Sequence, residues 1–198
     1  MDLSEYPKKK TLKDNTEIIL RPMVREDKDE LLHFFRSLST DDRLFLKDDV
    51  TKEEVIKAWA DNIDYSKVLP ILAIADNNKI VGDATLHRTN FGWSRHTGEI
   101  RMVITSSFQK KGLGTVLARE LVDHAVNFGL DIITAQMAAK QISAINAFKK
   151  LGFVQEAILK NHVMDLRGEK SNLVIMSNDV SQLWKKMEEM LMDWYPID

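Results

Sequence analysis

No cysteine occurs in the 198 residues. The chain can therefore form no disulfide, use no thiolate nucleophile and build no Cys-ligated zinc site. A chain without disulfides fits the cytoplasm, and that is the expected location. Long apolar runs are also missing. None approaches the roughly 20 residues of a membrane-spanning helix, so no membrane partner is expected. The opening Met1-Asp2-Leu3-Ser4-Glu5 is polar and acidic, unlike a secretory signal. Charge of one sign is scarce: 28 Lys plus Arg stand against 30 Asp plus Glu, a net charge of −2. Nothing there draws in nucleic acid or an anionic membrane. No repeat, low-complexity tract or Pro/Gly/Ser-rich linker divides the chain, and its length fits one domain, or one with a small appendage. What is there is an ordinary globular composition, 44% hydrophobic and 29% charged. It is enough to bury a sizeable core unaided.

The patterning predicts strands and helices in a definite order. Residues 1–10, with Lys8-Lys9-Lys10, read as a solvated terminal arm. Residues 11–13 and 16–21 read as two short strands around Asp14-Asn15, the second stopped by Pro22. Leu31, Leu32, Phe34, Phe35 and Leu38 recur at helical spacing, predicting a helix over 26–38 that breaks at Ser39-Thr40-Asp41-Asp42. Thr51 and Glu54 have capping-box spacing before Val55, Ile56, Ala58 and Trp59, a second helix. Residues 70–75 and 79–89 read as a hairpin about Asp76-Asn77-Asn78. Gly82 marks a bulge or a close approach there.

After a loop at Asn90-Phe91-Gly92-Trp93-Ser94, residues 97–105 form the next strand. A helix follows Gly112, with Leu113, Val116, Leu117, Leu121, Ala125 and Phe128 on one face, and Gly129 ends it. Residues 132–137 are a strand and 143–151 a short helix closed by Gly152. Residues 153–166 and 173–176 are strands around Arg167-Gly168-Glu169. The last segment, through Leu183, Trp184, Met187, Met190, Leu191 and Trp194, is an amphipathic helix. Hairpins followed by strand–helix–strand–helix imply a mixed sheet with helices on its faces, an α/β (α+β) fold.

The stretch that carries chemistry is Glu99-Ile100-Arg101-Met102-Val103-Ile104-Thr105-Ser106-Ser107-Phe108-Gln109-Lys110-Lys111-Gly112-Leu113-Gly114. A strand enters a loop with two glycines, and a helix starts there. Such a loop turns several backbone N–H groups one way, and the helix start adds partial positive charge. Together they suit a phosphate or pyrophosphate. Lys110 and Lys111 add charge nearby. The loop lacks the Gly-Lys-Ser/Thr ending of a P-loop and the third glycine of a dinucleotide fold. Taken alone, it also fits a plain helix cap.

Gln109-Lys110-Lys111-Gly112-Leu113-Gly114 fits the Gln/Arg-x-x-Gly-x-Gly/Ala coenzyme A motif of the GNAT (GCN5-related N-acetyltransferase) superfamily. The strand at 98–104 resembles that family's central strand. Residues 141–153, ending Lys150-Leu151-Gly152-Phe153, resemble its second cofactor helix. The resemblance covers roughly 11–178. Leu12-Lys13-Asp14-Asn15, Leu20-Arg21-Pro22 and Phe34-Phe35-Arg36-Ser37-Leu38-Ser39 further resemble the acetyltransferase domain of Pat-type protein lysine acetyltransferases. The resemblance implies one acetyltransferase domain over 1–198: an arm at 1–10, a core at 11–178 and an appended helix at 181–195. Its mostly antiparallel sheet would splay at the cofactor site.

The same resemblance implies acetyl-CoA as cosubstrate and transfer of its acetyl group to a primary amine through a ternary complex. Propionyl- or succinyl-CoA would also be permitted. The acceptor is expected to be a protein lysine or N-terminus, or a small amine. Val103, Ile104 and Thr105 would lie beside the pantetheine arm. Gln109, Lys110, Lys111, Gly112, Leu113, Gly114 and Thr115 would hold the pyrophosphate, and Gln141, Ala144 and Phe148 would complete the cofactor contacts. A lysine-like amine, with a pKa of about 10.4, must lose a proton before it attacks the thioester. The oxyanion that follows needs a donor, expected from a backbone N–H of the central strand. Glu99 is the candidate base; the alternative is a structural or water-holding role. Phe148 stands where many members carry a Tyr as general acid, and Gln141 where an Asn is common. Phe148 cannot donate a proton, so the thiolate would leave unassisted or with water. This difference keeps a second reading open, a non-catalytic acyl-CoA sensor or interaction module.

Weaker candidates remain. His87, His96 and His162 are possible acceptor-groove residues or ordinary sheet and surface histidines. His124 reads as buried scaffold, and no metal-ligand spacing occurs. Asp41-Asp42 and Asp48-Asp49 either attract a cationic acceptor or form a solvated loop. Phe91-Gly92-Trp93 covers a ligand or caps the core. The last helix packs on the body or forms a homodimer face.

Overall fold

The structure, a computed structural model, describes residues 3–44 and 46–192. Its eight strands form one sheet in the order β1-β2-β3-β4-β5-β6-β8-β7. The contacts divide the chain into two compact units, Met1–Thr85 with Met102–Leu117, and Leu86–Arg101 with Ala118–Asp198. No helix among the described residues is long and apolar enough to cross a membrane.

In the first unit, β1 (Lys8–Thr11) pairs antiparallel with β2 (Glu17–Pro22), Lys8 opposite Leu20 and Thr11 opposite Glu17. Part of the expected arm is thus a strand. Backbone pairing does not need apolar side chains, and lysines suit a sheet edge. The strands turn through Asn15 at φ 62°, with Leu12 N–H donating to Thr16 C=O at 2.8 Å. β2 alternates, burying Ile18 and Leu20, and runs antiparallel to β3 (Val68–Ile74), a continuous apolar strand buried almost throughout.

α1 (Lys28–Ser37) buries Leu31, Leu32, Phe34 and Phe35 after a single tight turn, Arg25–Asp27. Two expectations at the next helices need correction. α1 ends at Ser37 with Leu38 as its C-cap, and Ser39 caps a short α2 (Thr40–Arg43), its Oγ accepting from Asp42 N–H. The Thr51–Glu54 capping box does not form. α3 (Glu53–Asp61) starts after Lys52, which is its N-cap, while Thr51 Oγ1 donates to Asp49 at 2.6 Å. Phe34, Phe35 and Ile56 are fully buried with Leu72 and Ile74 of β3, and Val103 packs against this cluster. Each such burial contributes about 1.5–3 kcal/mol.

β4 (Ile80–Arg88) and β5 (Thr97–Ile104) each run from one unit into the other. A Cβ at Gly82 would lie 3.2 Å from Leu117 Cδ1 and 3.5 Å from Ile104. Gly82 is therefore a close approach to the start of α4 (Leu113–Asn127). α1 and α3 cover one face of the sheet in this unit, and Leu117 meets the other.

In the second unit, β6 (Ile132–Ala138) pairs with β8 (Lys170–Asp179) along its whole length, Ile132 opposite Asp179 and Ala138 opposite Leu173. Its parallel pairing with β5 covers only Thr97–Glu99 against Ile132–Thr134 among the described residues. β7 (Val154–Met164) ends the sheet, with register shifts at Gln155/Ala157 and Leu159/Val163. α5 (Ile142–Leu151) stops at Gly152, φ 102°. α6 (Val180–Met192) is capped by Asp179, which accepts from the N–H groups of Ser181 and Gln182. Leu183 and Met187 are wholly buried within this chain, and Arg119 stacks on Trp184 at 3.5 Å. The packing alternative therefore holds for this face of the helix. Trp194 and the expected end at 195 lie outside the described residues.

Candidate functional site

In the first unit β5 ends at Ile104, a tight turn follows at Ser106–Phe108, and α4 starts at Leu113. The loop between turn and helix is left-handed twice, at Lys110 (φ 62°) and Gly112 (φ 92°). Glycine adopts that conformation without cost, and a lysine does not. The Gly112 carbonyl accepts from Thr115 and Val116 at 3.0 and 3.1 Å, starting the helix. Among the described residues, the N–H groups of residues 110–114 have no backbone acceptor. They gather at the positive end of a 15-residue helix. A Cβ at Gly114 would meet Ile104 and Met102 only at ordinary contact, 3.5 and 3.8 Å. Packing does not demand a glycine there, whereas close approach of an anion to the backbone would. The donor set fits a pyrophosphate.

The side chains around this loop are less open than the sequence suggested. Gln109 Nε2 donates to the Ile104 carbonyl at 3.1 Å, bracing loop against strand. Lys111 Nζ is 2.9 Å from Asp14, and the Lys111 carbonyl accepts from Lys13 N–H. Its charge is therefore balanced, while Lys110 is exposed. Lys111 holds the Asp14 carboxyl down at about 2. Thr105 donates from both N–H and Oγ1 to the Val81 carbonyl, at 3.0 and 3.3 Å. Two of the three strand residues expected beside the pantetheine arm thus have backbone groups with partners inside the chain. Val103 packs on the core cluster.

In the second unit Glu99 is half-buried, and Arg101 Nε donates to its Oε1 at 2.8 Å. The two residues are i and i+2 on one strand, so they share a face. Gln141 Oε1 accepts from Ala138 N–H at 2.9 Å, closing the end of β6 rather than capping α5. Ala144 and Phe148 are partly exposed on α5. Phe148 stacks edge-on against Phe153, centroids 4.9 Å apart.

His162 is exposed on β7, and His87 is half-buried on β4. The His96 carbonyl accepts from Asp131 N–H. His124 is buried, 4.0 Å from buried Glu120 on the same helix, as scaffold. Asp42 and Asp49 are engaged in local turns. Phe91 and Trp93 are 91% and 93% exposed, so they do not cap the core. No group of three or more metal-ligating side chains occurs among the described residues.

The sequence reading missed Asp83. Its Oδ1 is fully buried without a hydrogen-bond partner among the described residues. Burial alone pushes the carboxyl from 3.8 up to about 7. The available signal was a lone carboxylate in the apolar run Ile80-Val81-Gly82-Asp83-Ala84.

The sequence model of the acetyltransferase (GNAT) family matches residues 30–153. The chain belongs to that family. It is 29% identical over 89 residues to the L-amino acid N-acyltransferase MnaT of Escherichia coli (strain K12), a match covering 44% of this chain and 52% of that one. The chain thus spans about half the length of this relative. Among solved structures, the GNAT domain of S. lividans PAT superposes with a TM-score of 0.75 at 15% identity, covering 90% of this chain and 99% of that one. The structure of yncA from Salmonella typhimurium with its cofactor acetyl-CoA gives 0.70 at 19% identity, covering 82% and 94%. At these identities the structural likeness establishes the fold.

Proposed function

We propose that this chain is an acetyl-CoA-dependent N-acetyltransferase acting on a primary amine. The observation that carries this reading is the loop at 109–114: partnerless N–H groups at a helix start, with Gly114 present where packing would tolerate a side chain. The acceptor we favour is a protein lysine or N-terminus, or a small amine such as an amino acid. Likeness to the GNAT domain of PAT and to an L-amino acid N-acyltransferase supports these classes. The family match runs through both units, which supports one acetyltransferase domain over 1–198; we place the protein in the cytoplasm, where a chain without cysteine fits.

When bound, acetyl-CoA supplies a thioester carbonyl. The N–H groups of residues 110–114 hold its pyrophosphate, with Gln109 and Thr115 bracing the loop and Lys110 adding charge. Val103, Ile104 and Thr105, and separately Gln141, Ala144 and Phe148, contribute the remaining contacts. Glu99, oriented by Arg101, takes a proton from the acceptor amine directly or through water. A backbone N–H of β5 donates to the oxyanion. Phe148 gives no proton, so the thiolate departs unassisted or with water.

Phe148, stacked on Phe153, also supports a second reading: an acyl-CoA sensor without turnover. The test is thiol release from acetyl-CoA with spermidine, kanamycin, amino acids and lysine peptides. The protein has no cysteine to add background. Release with one class establishes the enzyme and its acceptor type. Acetyl-CoA binding without release from any amine sinks the enzyme reading in favour of the sensor.

A further inference from the structure

The first unit contains a carboxyl that the mechanism above does not use. Gly82 faces Leu117 and Ile104 on one side of the sheet. Asp83, the next residue of β4, therefore faces the other side, where Val103 packs with Leu72, Ile74 and the α1–α3 cluster. Thr105 N–H bonds the Val81 carbonyl, and counting back along both strands brings Asp83 beside Val103. Asp83 is thus a charged residue in an apolar row. Its Oδ1 has lost all contact with solvent and gained no donor. The residue as a whole keeps partial exposure.

A buried oxygen without a donor costs stability, and sequences keep such a group where a ligand supplies the donor. A lysine-type ammonium supplies three N–H donors and the opposite charge. We propose that Asp83 is a specificity-determining residue of the acceptor site, binding the ammonium form of a cationic amine before it reacts. This rests on the acetyltransferase reading and names the acceptor class: alkylammonium, rather than an aromatic amine or a neutral nucleophile.

Two charged or titratable groups of this unit, Arg21 and Tyr65, already have partners. Arg21 of β2 grips Asp27 through both terminal nitrogens, at 2.6 and 2.5 Å. Tyr65 donates to the Met23 carbonyl at 2.6 Å. The α1 and α3 side chains of the cluster, Leu31, Phe34, Phe35 and Ile56, do not titrate. Burial is the only cause acting on Asp83, which places its ionisation near neutrality. An ammonium therefore binds best once that proton has left.

The test compares wild type with Asp83→Asn, using Nα-acetyl-lysine amide and spermidine as probes. Thiol release gives KM and kcat, and calorimetric titration with coenzyme A present, which has no acetyl group to transfer, gives Kd, both from pH 6 to 8. The lysine-type amine stays protonated over that range, so an inflection in its profile does not come from the probe. For wild type, KM and Kd should fall about tenfold with a midpoint near 7. D83N should raise both at least about tenfold at pH 8 and abolish the inflection, leaving kcat within about twofold and acetyl-CoA affinity unchanged. Unchanged amine affinity and pH dependence in D83N would overturn the proposal, as would a loss confined to kcat. If wild type releases no thiol but D83N still loses amine Kd, the acetyltransferase reading fails and the amine site stands. Should D83N fail to fold, the wild-type profile decides: an amine affinity flat from pH 6 to 8 overturns the proposal.

Discussion

Lys111 Nζ sits 2.9 Å from a carboxylate oxygen of Asp14, and the neighbouring Lys13 donates its N–H to the Lys111 carbonyl. The turn between the first two strands thus holds the loop at 109–114 by side chain and backbone together. It also cancels the charge of the lysine that the motif presents most visibly. Replacing Lys111 by Met should change acetyl-CoA affinity by less than about threefold. Asp14→Asn should tighten it by up to about fivefold at low salt and steepen its salt dependence, in line with exposed ion pairs. Titration at two ionic strengths checks both. The Asp14 carboxyl is held down at about 2. Its tie is fully present above 3.8 and fades only as pH falls through 2, so these effects should not vary between pH 5 and 9.

Gly114→Ala separates a helix cap from an anion site. The added Cβ meets only ordinary contacts, so the melting temperature should move by no more than about 2 °C. Acetyl-CoA affinity should fall at least about tenfold. A variant with both properties intact would show that the phosphates do not approach this residue.

Glu99→Gln should keep acetyl-CoA binding and lose at least about tenfold in turnover, the range a general base supplies. Arg101→Met, which removes the 2.8 Å contact to Glu99, should shift the pH profile of kcat without abolishing activity. Steady-state kinetics from pH 6 to 9 measures both. Unchanged turnover in E99Q would take Glu99 out of the mechanism.

Asp83 predicts an inverse relation between stability and pH. Its folded-state carboxyl is raised to about 7 from 3.8, so the folded protein holds this proton more tightly than the unfolded chain. Stability from this group is full below 3.8 and is lost as pH rises through 7. Asp83→Asn should therefore be the more stable protein at pH 8, by up to a few kcal/mol, with the advantage shrinking toward pH 4. Urea unfolding at both pH values decides it.

Gly98→Ala should destabilise by about 1–3 kcal/mol, the cost of overpacking. Its Cβ would stand 2.9 Å from both Leu86 and Leu130 side chains. Urea midpoints give the value directly.

Periodicity and turn residues made most elements legible. Leu31, Leu32, Phe34 and Phe35 announce α1, and Gly152 announces the end of α5. The misses are local competitions. Thr51 has capping-box spacing, but its hydroxyl donates to Asp49 and α3 starts after Lys52. Lys8-Lys9-Lys10 carry no apolar signal, yet a strand partner gives their backbone a place. At the candidate site, spacing revealed the glycines of the loop but not the engagement of its polar side chains. Lys111 and Gln109 look alike as loop residues in a sequence. Only tertiary structure shows that one is neutralised by Asp14 and the other spent on Ile104. Asp83 is the converse: its Oδ1 is buried with no hydrogen-bond partner among the described residues, which patterning does not report.

Gly152 carries a last consequence. Its φ of 102° suits no ordinary side chain, and a Cβ there would come within 2.9 Å of Lys186 on α6 and 3.0 Å of the Asn178 amide. That amide also donates to the Gly152 carbonyl at 2.6 Å. The glycine, the asparagine and the C-terminal helix therefore constrain one another. Removing the helix would lift the Lys186 contact alone; the left-handed backbone and the Asn178 amide would still exclude a side chain at residue 152.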